Sequence, residues 1–184
     1  MRVMALTGGI ASGKSTVCRL MREVLSTVVV FDSDAAVRRM LETDEEVISL
    51  VREGFGEGAL DHRGKVDRHF LRGKVFADDA ARLRLEAITH PRVLQECLAF
   101  RDKAEQSGAT LFVADIPLFF EKGFDFGQDE VIVVASSRDT QIQRLEARSG
   151  FDHSMIGSIL AAQTATEEKI RRADVVFWNE GPSS

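Results

Sequence analysis

One nine-residue stretch constrains this chain more than any other: Gly8-Gly9-Ile10-Ala11-Ser12-Gly13-Lys14-Ser15-Thr16. From Gly8 to Ser15 it fits the spacing G-x-x-x-x-G-K-[ST]. A short apolar run, Val3 to Leu6, precedes it, and Val17, Leu20, Met21 and Val24 follow at helical spacing. A strand, a glycine loop and a helix in that order build an anion site. Glycines permit backbone angles that turn successive N–H groups inward. The helix then points its positive N-terminal end at the same spot. Lys14 can reach between β- and γ-phosphates, and the Ser15 hydroxyl is placed to ligate Mg²⁺. The loop therefore implies nucleoside triphosphate binding and leaves open what receives the phosphate.

The rest of the chain agrees with an α/β reading. Val28 to Phe31, Thr110 to Ala114, Val131 to Ala135 and Val175 to Trp178 are further short apolar runs, continuous rather than alternating. Such runs fit strands buried on both faces of a parallel sheet, and the helical spacings between them complete the alternation. At 184 residues there is room for one domain with an insertion. The net charge of −5 gives no global reason to bind nucleic acid or an anionic membrane. Two cysteines without a CxxC pair argue against a disulfide framework or structural zinc and for a reduced, cytosolic setting. The four histidines show no metal-ligand spacing. The apolar start is too short for a secretory signal, and no later stretch approaches a membrane span.

About Asp44 to Gly108 there is no good strand, so a helical insertion is expected. Within it His62 to Arg92 carries eight Lys/Arg against four acids. That surplus is a candidate anion-binding surface, or a solvated helix face. Two strands end in acid. Asp32-Ser33-Asp34 follows Val28 to Phe31, and ligands of parallel sheets sit beyond such strand ends. A carboxylate there can deprotonate an attacking hydroxyl or hold Mg²⁺ through water, or it can cap the helix Ala35 to Leu41. Asp34, directly before Ala35, fits an N-cap. Asp115, closing Phe112 to Ala114, fits either an Mg²⁺-positioning strand end or a turn fixed by Pro117. Gln141, Arg144, Leu145 and Arg148 share a helical spacing with one basic edge. Its arginines suit either transition-state charge or plain surface.

Together these motifs resemble the dephospho-CoA kinases over nearly the whole chain. Leu6 to Thr16 is similar to that family's opening segment, and Asp32-Ser33-Asp34 to its Asp-Ala-Asp. Val66 to Phe76 resembles its Asp-Arg…Leu-Arg…Val-Phe stretch, and His90-Pro91 its His-Pro. Asp115-Ile116-Pro117-Leu118-Phe119-Phe120-Glu121 resembles its Asp-x-Pro-Leu-Leu-x-Glu. Gln141 to Leu145, Arg148, Ala162-Gln163 and Ala173 to Val176 match its C-terminal run.

The resemblance implies a P-loop nucleotide-kinase-like three-layer fold with a five-stranded parallel sheet. The core would cover about 1–43, 109–147 and 173–184, a helical CoA-binding insertion about 44–108, and a lid about 148–165. It implies a cytoplasmic enzyme that moves the γ-phosphoryl of ATP, with Mg²⁺, to the ribose 3′-hydroxyl of dephospho-CoA. Asp34 would be the base, with Lys14, Asp32 and Arg148 also catalytic. Gly9, Ala11, Ser12, Gly13, Lys14, Ser15, Thr16 and Arg144 would bind ATP. Thr7, Asp34, Arg72, His90, Pro117 and Leu118 would bind the acceptor. Ser15 would ligate Mg²⁺, with Asp32 and Asp115 as candidates through water. Small-molecule partners, no nucleic acid, no membrane, and a monomer or weak homo-oligomer are expected. Trp178-Asn179 stands where the family has Asp-Asn, and the family usually continues past this chain's Ser184 into a further helix. That departure bears on stability or oligomeric state before activity. The rival acceptor is a nucleoside or nucleotide, since fold alone does not choose. A slow ATP-hydrolysing regulator is a third reading, disfavoured by the acceptor-side carboxylates and the basic insertion.

Overall fold

The computed structural model describes residues 1–149 and 153–181. Five strands form one parallel sheet in the order β2-β3-β1-β4-β5. They are β1 (Arg2–Gly8), β2 (Val28–Asp32), β3 (Leu111–Asp115), β4 (Glu130–Ala135) and β5 (Val175–Trp178). Among the described residues the helices are α1 (Lys14–Val24), α2 (Ser33–Thr43), α3 (Glu45–Phe55), α4 (Arg68–Ala77) and α5 (Asp79–Gln106). They continue with α6 (Phe119–Lys122), α7 (Arg138–Ser149), α8 (His153–Ala161) and α9 (Thr166–Arg171). The chain divides into two compact units, Met1–Phe31 with Phe100–Ser184, and Asp32–Ala99.

In the first unit the continuous apolar runs are explained by burial on both faces. Leu6, Val113, Ile132 and Val134 meet Cys18 of α1, with Val17 and Met21 packed around them. The alternate residues Ala5, Phe112, Ala114 and Val133 are buried as well, and α9 packs against β4. β5 departs from expectation. Its four residues are 37% to 57% exposed, whereas those of β2, at the other edge of the sheet, are buried or half-buried.

The second unit is helical, as the absence of strand-like runs predicts. Asp44 caps α3 by accepting from the N–H groups of Glu46 and Val47, and Asp67 caps α4 through His69 and Phe70. Val47, Val51, Ala59, Leu71, Val93 and Cys97 form part of its buried interior. α5 runs through Pro91 without ending. Among the described residues no helix is long and apolar enough to cross a membrane.

Candidate active site: a phosphate loop held from outside

β1 ends at Gly8 and α1 begins at Lys14, so the glycine loop spans the C-terminal edge of the sheet. Gly13 has φ +93°, and a Cβ there would lie 2.1 Å from Asn179 Nδ2. Only glycine meets both demands cheaply. Ala11 also takes a positive φ, +58°. α1 has no side-chain cap at its N-terminus. The N–H groups of Ala11, Gly13, Lys14 and Ser15 make no hydrogen bond among the described residues. They are the donors an anion would take.

The carbonyls of the loop are held back one by one. Gln141 Nε2 donates to Ile10 O at 2.8 Å, Arg144 Nη1 to Ala11 O at 3.1 Å, and Asn179 Nδ2 to Ser12 O at 3.0 Å. In a trans peptide the C=O and the next N–H point in opposite directions. Holding Ile10 O and Ser12 O outward therefore aims the N–H groups of Ala11 and Gly13 inward. Asn179 is placed by β5, and the next residue, Glu180, accepts from Thr140 Oγ1 and the Ser137 N–H at the start of α7. These hydrogen bonds hold the Glu180 carboxyl below its ordinary range.

Lys14 is ion-paired with Asp115 at the end of β3, and both side chains are largely buried, at 17% and 11% exposure. Cys18 donates its thiol to the other oxygen of Asp115 at 3.3 Å. Burial pushes the Cys18 thiol up to about 12, reinforced by Asp115, so it remains a neutral donor. Thr7 Oγ1 donates to Pro117 O at 3.0 Å, joining the ends of β1 and the turn after β3. A second pair lies nearby: Lys169, 1% exposed, sits 2.9 Å from Glu121 Oε1, and that oxygen also accepts the Thr164 N–H at 2.9 Å. Burial works to raise the Glu121 pKa. The ammonium of Lys169 and the Thr164 N–H outweigh it and hold the carboxyl below its usual range.

In the second unit Asp32 is the cap of α2, accepting from Ala35 N at 2.8 Å. The helix starts at Ser33, two residues earlier than the spacing suggests, so Asp34 lies within its first turn and is not the N-cap. The basic surplus is partly spent inside this unit. Arg92 pairs with Glu46, Arg82 with Asp79 and Arg68 with Glu42, while Arg84 donates to Gly54 O. Arg72 stands 5.6 Å over the exposed ring of Phe76, and Lys74 lies 5.4 Å over Phe70. His90 is half-buried on α5, directly before Pro91. Arg148 lies in the last turn of α7, but its side chain and residues 150–152 of the expected lid lie outside the described residues.

Sequence reasoning missed the outer clamp as such. Gln141 and Gln163 were legible only as family matches, and Asn179 only as part of a departure. Arg144, read there as an ATP ligand, donates to Ala11 O, Asn179 O and Gly181 O. Lys169 carried no signal: it sits in a charged run that reads as surface.

A parallel sheet with this loop at its carboxyl edge defines a P-loop phosphoryl-transfer fold. The family model for dephospho-CoA kinase matches residues 2–184. A curated dephospho-CoA kinase of Geobacillus kaustophilus is 40% identical over 178 residues, covering 97% of this chain and 88% of that one. A crystal structure from Thermus thermophilus superposes with a TM-score of 0.78 at 33% identity, covering 98% of this chain and 89% of that one. A dephospho-CoA kinase structure from Campylobacter jejuni shares the fold, with a TM-score of 0.69 at 24% identity, over 99% and 90% of the two chains. The chain belongs to the dephospho-CoA kinase family.

Proposed function

We propose that this chain transfers the γ-phosphoryl of ATP to the ribose 3′-hydroxyl of dephospho-CoA, giving coenzyme A. The observation that supports this most is the set of N–H groups at Ala11, Gly13, Lys14 and Ser15 that are unpaired among the described residues, those of Ala11 and Gly13 facing away from carbonyls that other side chains hold. The buried Ser12 Oγ also has no partner among the described residues. This donor set fits a polyphosphate. Gly9, Ala11 to Thr16 and Arg144 are assigned to ATP, and Arg144 also holds the Ala11 carbonyl. Lys14 would leave Asp115 for the phosphates. Ser15, with Asp32 and Asp115 through water, would hold Mg²⁺, whose charge neutralises the phosphate oxygens.

By motif match Asp34 is the base. Its carboxylate takes the 3′-hydroxyl proton, the sugar oxygen forms a bond to the γ-phosphorus, and the bond to the bridging oxygen breaks, releasing ADP. Arg148 is assigned to the charge that develops on the phosphoryl oxygens. Thr7, Pro117, Leu118, Arg72 and His90 are assigned to the acceptor, which fits the basic insertion of about 44–108. The core of about 1–43, 109–147 and 173–184, and a lid of about 148–165, complete the assignment. A cytoplasmic monomer or weak homo-oligomer acting on small molecules fits this chemistry.

The test is an acceptor panel: dephospho-CoA, nucleosides and nucleoside monophosphates, each with ATP and Mg²⁺, read by mass. Dephospho-CoA is expected to gain one phosphoryl group. Gain on a nucleotide alone would favour the rival acceptor. Asp34→Asn is expected to keep ATP affinity and lose turnover by about 10² or more, the scale of a lost general base. Near-normal turnover would remove Asp34 from the chemistry.

A further inference from the structure

The peptide groups on both sides of Ile10 are gripped by glutamines from distant elements. Ile10 N–H donates to Gln163 Oε1 at 3.0 Å, and Ile10 O accepts from Gln141 Nε2 at 2.8 Å. The polarity of these bonds is fixed by the backbone, which can only donate at N–H and only accept at C=O. Gln163 must therefore present its oxygen and Gln141 its nitrogen. Gln141 is 4% exposed and rides on α7. Gln163 follows α8, and its neighbour Thr164 is tied down by Glu121, which Lys169 holds in turn. A Cβ on Gly9 would lie 2.4 Å from Gln141 Nε2, so the second glycine of the loop leaves room for this grip.

We infer that Gln141 and Gln163 are positioning residues for ATP: they fix the peptides flanking Ile10, aim the Ala11 N–H at the phosphates, and tie the segment after α8 to the phosphate loop. The inference deepens the proposed kinase reading and rests on it for the identity of the ligand. If the phosphate-binding donors are set by this grip, its two members respond oppositely to the same change. Gln163→Glu keeps an acceptor for Ile10 N–H. Gln141→Glu replaces a donor by a carboxylate oxygen facing a carbonyl oxygen. A purely steric role would treat the two alike.

Two readouts on the full chain decide, and neither needs turnover. The first is exchange of the Ile10 amide hydrogen. A cavity of about 280 Å³ bordered by Gly9, Gln141 and Gln163 lets water reach this peptide once the bond is lost. Gln163→Met is expected to speed that exchange about ten-fold, while Gln163→Glu leaves it within about two-fold of the unaltered chain. The second is ATP affinity by calorimetry. Gln141→Glu is expected to weaken ATP about ten-fold at neutral pH, a defect that shrinks at lower pH as the introduced carboxyl takes up a proton and can donate. Gln141→Met, losing the bond without the repulsion, falls between. Unchanged ATP affinity in Gln141→Glu, a pH-independent defect, or equally fast Ile10 exchange in Gln163→Glu and Gln163→Met would overturn the inference. A negative acceptor panel with these results intact would overturn the kinase reading and leave the grip standing.

Discussion

Two lysine–carboxylate pairs lie in the same unit and do different work. Lys14–Asp115 stands at the mouth of α1, beside four N–H groups that take no acceptor among the described residues. Lys169–Glu121 is sealed, with the lysine at 1% exposure, and its carboxylate also takes the Thr164 N–H. The first pair stands among donors that favour an anion, and under the proposed function a phosphate would replace the carboxylate on Lys14. The second serves to pin the start of α9 to α6. The comparison teaches that a buried charge pair is read by its surroundings. Unpaired donors around it mark exchange, and a shared hydrogen bond to the backbone marks anchorage.

The largest effect that separates the pairs is expected from Lys14→Ala. Turnover should fall by about 10² to 10³, the scale of a lost charge contact to the transferring group, and that loss should outweigh any shift in the thermal midpoint. Steady-state rates near those of the unaltered chain would erase the distinction. Lys169→Met should invert the pattern. Breaking the buried pair costs about 3 kcal/mol, the lower end for such pairs because Glu121 keeps some solvent contact, or about 6–12 °C in the midpoint. A midpoint shift under ~2 °C would show that the anchor does not hold. The smallest effect sharpens the electrostatics. Glu121 has its pKa lowered in the fold from 4.5, so its stabilisation is present above pH 4.5 and is lost as pH falls through the folded value. The stability difference between the unaltered chain and Glu121→Gln should therefore narrow below pH 4.5, as followed by denaturant titration. A constant difference would mean that the carboxylate is not the group being held.

The legibility of the molecule follows how local each cause is. The strands β1 to β4 are readable because burial writes a continuous apolar run. β5 carries the same kind of run while exposed, and nothing in Val175 to Trp178 announces that. The phosphate loop is readable because the left-handed Gly13, a helix N-terminus and Lys14 all act within nine residues. Its outer clamp is not, because Gln141, Arg144, Gln163 and Asn179 reach it across 131 to 167 residues of sequence. Arg144 shows the same effect of distance: helical spacing puts it on a basic edge, and only the fold shows it donating to three carbonyls. The Asp32-Ser33-Asp34 segment was legible as a strand end followed by a helix. Which aspartate caps that helix depends on whether two residues, Ser33 and Asp34, are helical, a difference finer than any spacing rule resolves.

The position of the new phosphate tests the central claim most directly. Product made from ATP and dephospho-CoA should show, by phosphorus–proton correlation, a phosphomonoester coupled to the ribose H3′. Coupling to H2′, or extension of an existing phosphate, would contradict the proposal that a carboxylate-activated 3′-hydroxyl is what meets the loop's phosphate.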